Sequence, residues 1–458
     1  MVRALPRVLG LFDVTVLSSA AMGPAYSLAA TMGPMVAAAG TRAPLSLGLL
    51  TAMMLCIAIA FSRLSRVMPS AGSSFAWIAH AFGAGTGTYA AWLLLLSNYF
   101  ATTTVALPAA TYTLDLVAPQ LALSPLWDAL VGSLWIAAST LLLYFGLRPT
   151  AVVTAVFLIA ELLVVAASSV AAFVVHPALE HFSNARTTLL PAPGYVGVVT
   201  AIVLGIWMTD GWEVSASASE ETTGPPQTPG RGGIVGLLAT AAILLFAMSA
   251  YLHVGSVAGF TANQSDAMDY VATRLGGGTW RTIIVVTVLV STAATLWTTL
   301  LYLSRSVYAM GRDGVLPRFC GALDTNALPS NSLGVVFIGV VALTLLTGFW
   351  PTAASVLNLI LNGTSVFLGA LFCMSAAAAM KMLAGPPGES RFGTLVIPAA
   401  GALMLAAVIA IDIVQSDTIT RYIEVGGLLL GIPFALWRGG KMNDAETFVR
   451  PRVYEPEG

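Results

Sequence analysis

The stretch Gly205-Ile-Trp207-Met-Thr-Asp210-Gly211-Trp212-Glu213 lies near the middle of an apolar run from about Tyr195 to Glu221. Such a run is long enough to cross a bilayer, which takes ~20 apolar residues. Two carboxylates and a glycine at that depth are costly: a charge at the membrane centre costs about 2.5–3.5 kcal/mol even on the lenient insertion scale. Glycine lets the backbone leave the helix, and freed backbone groups survive there only against protein or a polar cavity. A plain kink with two acids buried against partner helices is one outcome. A broken helix that binds a solute is the other, and the rest of the chain favours it.

Of the 458 residues, 57% are hydrophobic and 9% charged, far below the roughly 25% charged of soluble domains. The chain is therefore an integral membrane protein. Twelve apolar stretches centre near Gly23, Leu55, Leu96, Ala137, Leu163, Leu204, Leu244, Ala294, Gly339, Gly369, Leu405 and Leu430, predicting an all-α bundle of twelve transmembrane helices. A net charge of −1 gives no hint of nucleic acid. Cys56, Cys320 and Cys373 have no metal-type spacing and the four His are scattered, so no metal site and no cofactor is expected. The first apolar run continues past signal-peptide length. With the N-terminus inside and twelve crossings, the outer side holds only Arg42, Arg186, Arg274, Arg281 and Arg421 of the 20 Lys and Arg. That asymmetry predicts cytoplasmic termini and a multi-pass protein of the cell membrane, with lipid as its surroundings.

The first segment, about Leu9 to Gly40, is interrupted by Ser18-Ser19-Ala-Ala-Met-Gly23-Pro24-Ala-Tyr26-Ser27. Proline cannot donate the helical bond and clashes with the preceding turn, so a break near mid-membrane is expected. Met68-Pro69-x-x-Gly72-Ser73-Ser74-Phe75 to Phe82-Gly83 reads as a short amphipathic piece folding along or into the cytoplasmic interface, with His80 an interfacial residue. Segment three carries Ser97-Asn98-Tyr99 and Thr102 to Thr104, a patch that bonds neighbouring helices or touches solute. Glu161 stands alone in segment five, about 16 Å deep. An isolated intramembrane acid is a functional candidate, here a proton carrier; the alternative is a hydrogen-bonded structural acid. Asn358 and Asn362 in segment ten share a helix face. Segments eleven and twelve carry few polar residues and read as scaffold or homodimer contacts.

The two interruptions, at Gly23 and Gly211, fall in segments one and six, 188 residues apart. Five crossings separate equivalent positions, so the second half is inverted relative to the first, the pattern of inverted-repeat transporters with the solute site at discontinuous helices. The repeats are expected at about 9–176 and 194–381 within a permease domain 1–440, with extra helices at about 394–438 and a tail at 441–458. Helix N-termini at the breaks offer N–H groups to a carboxylate; carbonyls and carboxylates suit an ammonium. An amino acid zwitterion fits both.

These residues resemble the amino acid–polyamine–organocation superfamily of permeases. The resemblance is carried by the Gly23 break, by Pro69-x-x-Gly72-x-x-Phe with Phe82-Gly83, and by Gly211-Trp-Glu213 with Glu220-Glu221 and Pro229-x-Arg231. Ser304-Arg305, Tyr308-Ala-Met and Asp313-Gly314-Val-Leu-Pro317 add to it. It implies a leucine-transporter-like 5+5 inverted-repeat fold plus two helices, and alternating access. It further implies solute-binding backbone at Ser19, Ala20, Met22 and Gly23, an aromatic gate at Trp207, and an acid at Glu213 as in the arginine/agmatine-exchanger branch. Asn98, Trp297, Asn362 and Ser365 fall on site-lining segments. Two departures stand out. Asp210 replaces an often apolar residue, which pulls the substrate toward a positive charge. Glu161 stands where some proton-driven relatives have a lysine; it could bind a proton or, with Ser291, Thr292 and Thr295, help hold Na⁺.

The reading is a secondary active transporter for amino acids or organic amines, coupled to protons or working as an exchanger, with Na⁺ the other ion. Asp210 and Gly211 join the substrate site, while Glu161, Glu213 and Trp207 serve coupling and gating. A polyamine or ethanolamine carrier is the alternative, and a non-transporting sensor a further one. An enzyme would need a nucleophile with its base, or a metal cluster, and the sequence offers neither.

Overall fold

A bilayer core gives the backbone no water to bond, so an apolar chain crosses it as helices. The computed structural model describes residues 5–122, 124–145, 147–175, 195–264, 266–383 and 390–443. Among them there is no strand, only one isolated parallel bridge between Leu9 and Thr222. Ten stretches of the described residues are long and apolar enough to span a membrane. One of these, Leu11–Val67, contains three helices: α1 (Leu11–Met22), α2 (Pro24–Ala39) and α3 (Ala43–Val67). The short α4 (Ser73–Phe82) leads to α5 (Ala84–Val117), α6 (Pro125–Leu143) and α7 (Leu147–Val175). The second half opens with α8 (Tyr195–Met208), too short to span, and α9 (Val214–Ser217). Then come α10 (Thr228–Val254), the small α11 (Val257–Ala262) and α12 (Ala267–Arg274), and α13 (Gly278–Arg312). The series ends with α14 (Ser330–Thr347), α15 (Ala353–Met382), α16 (Ile397–Gln415) and α17 (Thr418–Asn443). Each expected centre falls in one of these helices or, for Gly23, at the junction of two.

The interruption in segment one is narrower than the polar cluster suggests. α1 stops at Met22, Gly23 takes the left-handed conformation (φ 52°), and α2 restarts at once with Pro24 in its first turn. Proline fits that position because the first N–H would be unpaired anyway. The second interruption is longer, a run of turns over 209–213 between α8 and α9.

Small residues set the packing around both breaks, because they let backbones approach closely. Along α10, a Cβ on Gly232 or Gly236 would collide with Val14 or Ser18 of α1, and one on Gly230 with Ser62 of α3. The piece at α4 folds into the bundle, with Ser73 to Ala79 buried and only His80 and Phe82 of the helix exposed. Its Trp77 meets Phe61 of α3 edge-on at 5.1 Å. Phe61 also meets Trp212 at 4.9 Å, and Phe372 of α15 closes that cluster at 5.4 Å from Trp212. On α16 and α17, Leu403 and Leu436 are exposed as lipid-facing residues would be. Most of the expected tail, 444–458, lies outside the described residues.

Candidate functional site where two interrupted helices meet

The breaks touch. Gly211 has φ 117°, and a Cβ there would stand 2.7 Å from the Ala21 carbonyl carbon and 2.8 Å from Met22 N. Only glycine permits both that backbone and that approach. Ser18 Oγ donates to Trp212 O at 3.0 Å, a second link between α1 and the turns after α8. Trp212 itself is pinned by Phe61 and Phe372, which fixes the flanking acids.

Glu213 is buried and its Oε2 accepts the Gly211 N–H at 3.1 Å. The Asp210 carboxyl lies within hydrogen-bonding reach of it, a contact that a shared proton would satisfy. From Ala201 to Ser219 every residue is buried except Asp210, which is half-buried.

Glu161, fully buried on α7, meets the other break. Its Oε2 accepts the Ala25 N–H at 3.2 Å, and the Ser291 hydroxyl beside it accepts the Tyr26 N–H at 3.0 Å. The reason is electrostatic: the positive end of α2 faces a carboxylate at matching depth. This changes one expectation. At this break the N–H groups foreseen for a substrate carboxylate are occupied, since Pro24 has none and those of Ala25, Tyr26 and Ser27 are taken. Thr295 of α13 completes the junction by donating to Ala20 O at 2.9 Å.

The other expected residues divide. Trp207 is buried, edge-on to Tyr26 at 6.3 Å, and its indole N–H makes no bond of good geometry. Asn362 Oδ1 and Ser365 Oγ on α15 are likewise buried and unsatisfied. Asn98 instead donates to Leu94 O of its own helix at 2.9 Å, and Trp297 to Thr154 of α7 at 2.8 Å. Ser19, Ala20 and Met22 are buried at the end of α1. Among the described residues no group of His, Cys, Asp and Glu could hold a metal ion.

Sequence reasoning named Arg305, Glu220 and Glu221 but not their pairing. Arg305 grips Glu221 through two bonds, Nη2 to Oε1 at 3.1 Å and Nε to Oε2 at 3.2 Å, both side chains buried. Arg312 grips Glu220 similarly at 3.0 and 3.1 Å, and Glu220 Oε1 also accepts the Ala71 N–H at 2.9 Å. Beside them Glu221 O accepts from Val8 N at 2.9 Å, and Thr223 N donates to Leu9 O at 2.8 Å. These contacts tie the end of the broken segment to α13, to the loop before α4 and to the start of the chain. Two acids and two arginines at matched helix ends were the available signal.

Discontinuous helices meeting at buried carboxylates, inside a multi-pass bundle, are the architecture of membrane solute carriers. The comparisons narrow the class. A family model described as amino acid permease matches residues 9–425, and the chain belongs to that family. It is similar to a branched-chain amino acid permease, BcaP, of Lactococcus lactis, at 26% identity over 65% of this chain and 66% of that protein. It is also similar to amino acid transporter protein 6 of Caenorhabditis elegans, at 22% identity over 52% of this chain and 45% of that one. These alignments thus span less than two thirds of either relative's length. Among solved structures, two mutants of the Eremococcus coleocola manganese transporter share the leucine-transporter-like fold. Their TM-scores are 0.57 and 0.59, at 12% identity, covering 97% of this chain and 98% of theirs.

Proposed function

We propose that the protein is a secondary active transporter for amino acids or related organic amines, working by alternating access in the cell membrane with its termini in the cytoplasm. One observation carries the reading: Asp210 is the one half-buried residue in an otherwise buried stretch where the two interrupted helices meet. In this reading Asp210 pairs with the solute ammonium, and Trp207 closes over it. Glu161 or Glu213 changes its protonation during the cycle. Na⁺ is the alternative to the proton as coupling ion, and Glu161, Ser291, Thr292 and Thr295 would then be its oxygen donors.

The capped N-terminus of α2 supports a second reading, a carrier for organic amines that lack a carboxylate. Glu161 supplies from within the chain the anion that an amino acid would otherwise bring.

Uptake into liposomes decides both, with leucine and its decarboxylated counterpart isoamylamine as probes. Asp210→Asn is expected to weaken uptake of the transported probe at least tenfold, and unchanged affinity would remove Asp210 from the site. Glu161→Gln is expected to abolish accumulation against a gradient while exchange persists; concentrative uptake by this variant would end its role as proton carrier. Isoamylamine preferred over leucine favours the second reading.

A further inference from the structure

Below the Asp210–Glu213 pair, on the side where Arg305 meets Glu221, lie buried hydroxyls that the roles above leave unused. Tyr302 and Ser306 of α13 and Ser73 and Ser74 of α4 are each at most 2% exposed. None makes a hydrogen bond of good geometry. A buried polar group without a partner costs about 1–3 kcal/mol, so several in one place call for an explanation. Such groups are ordinarily served by ordered water.

Their placement is specific. The Tyr302 hydroxyl stands beside those of Ser73 and Ser306, and the carboxyls of Glu213 and Asp210 lie near enough to act on it electrostatically. Tyr302 and Ser306 are four residues apart and share one face of α13, which ends about 15 Å further on at Arg312. Opposite them, Ser73 is held at φ 38°, a left-handed conformation that costs a non-glycine residue about 1–3 kcal/mol and gathers at functional sites. Ser70 holds that turn, its carbonyl accepting the Ser73 N–H at 3.0 Å. The charged groups around the column are Asp210 and Glu213 above, and the paired Arg305–Glu221 and Arg312–Glu220 at its foot.

We propose that these hydroxyls form a proton path from the Asp210–Glu213 pair, through Tyr302 and then Ser306 with Ser73 opposite, to the face closed by Arg305 and Glu221. A carboxylic O–H breaks and its proton passes to an ordered water, which gives one of its own protons to the Tyr302 oxygen, while the Tyr302 O–H passes its proton to Ser306 or a further water. Each hydroxyl ends as it began. The sum is one carboxylic acid turned carboxylate and one proton delivered to water at that face. The inference deepens the proton-coupled reading above and rests on it.

The test needs no substrate. In the full-length protein, the carboxylic C=O stretch is followed by time-resolved infrared spectroscopy after a pH jump, with the band of the pair assigned by its loss in Glu213→Gln. Tyr302→Phe, which removes one oxygen, is expected to slow protonation of that band at least tenfold and to leave its midpoint pH unchanged. Ser306→Ala is expected to do the same and stands in should the first variant fold poorly. A merely structural hydroxyl would move stability or midpoint, not rate alone. Wild-type kinetics in both variants would overturn the path and leave proton coupling standing. A pair whose band never titrates would overturn the path together with any proton-carrying role for Glu213.

Discussion

At the scale of single residues, Gly211 carries a double constraint. Its φ of 117° and its contact with the Ala21–Met22 backbone would both be violated by a methyl group. Strain of this kind costs about 1–3 kcal/mol, and the collision with main chain adds to it. Gly40 offers the control, with a positive φ of 58° but nothing within 4 Å of an added Cβ. Gly211→Ala is therefore expected to lower the melting temperature of the purified protein clearly more than Gly40→Ala; equal shifts would mean that the contact between the breaks contributes nothing. Gly23 and Gly211 were legible in the sequence because glycine beside proline or acids in an apolar run has few explanations. The capping of α2 by Glu161 was not. The depth of Glu161 could be counted from its helix end, but no spacing rule says which neighbour a lone carboxylate will face.

At the scale of elements, the Arg305–Glu221 pair joins α13 to the segment after α9, buried and bonded twice. Removing one partner of a buried pair strands a charge and costs about 3–5 kcal/mol, whereas replacing both with apolar groups can be nearly neutral. Arg305→Met or Glu221→Gln alone should therefore depress the melting temperature strongly, and Arg305→Met with Glu221→Met less than either. A double variant as unstable as the sum of the singles would show that the two groups act independently. The all-helical membrane bundle was readable because lipid demands long apolar runs. The broken helix was readable because its acids violate that demand. Which side chains of a correctly placed helix face the site was harder. Asn98 and Trp297 lie on expected segments, yet one bonds its own helix and the other α7. A one-residue error in register turns a side chain by about 100° at 3.6 residues per turn, and polar residues spread over several faces of a helix do not fix that rotation.

For the whole molecule, the loop before α12 gathers acids. Asp266 is half-buried, with Asp269, Asp115 and the Tyr112 hydroxyl around it, and Arg281 is bonded to Asp269 at 2.5 Å. Burial, and then the charges of Asp269 and Asp115, push the Asp266 carboxyl from 3.8 up to about 7. The folded state thus holds a proton that the unfolded chain has released, so this group's contribution makes stability fall as pH rises between those values. Asp266→Asn should remove that contribution, giving a melting temperature that declines less between pH 5 and pH 8 than in the wild type. Parallel curves would show that Asp266 does not titrate in this range. If the termini face the cytoplasm, this cluster faces the outside, where pH varies.

The interrupted segments are stitched together at separate heights: Gly211 against Ala21, Ser18 on Trp212, and Leu9 bridged to Thr222. A rod fastened to its neighbour at several points along its length cannot slide or pivot alone. In the proposed transport cycle α1 and the stretch after Gly211 would therefore move as one lever, each carrying the other with it.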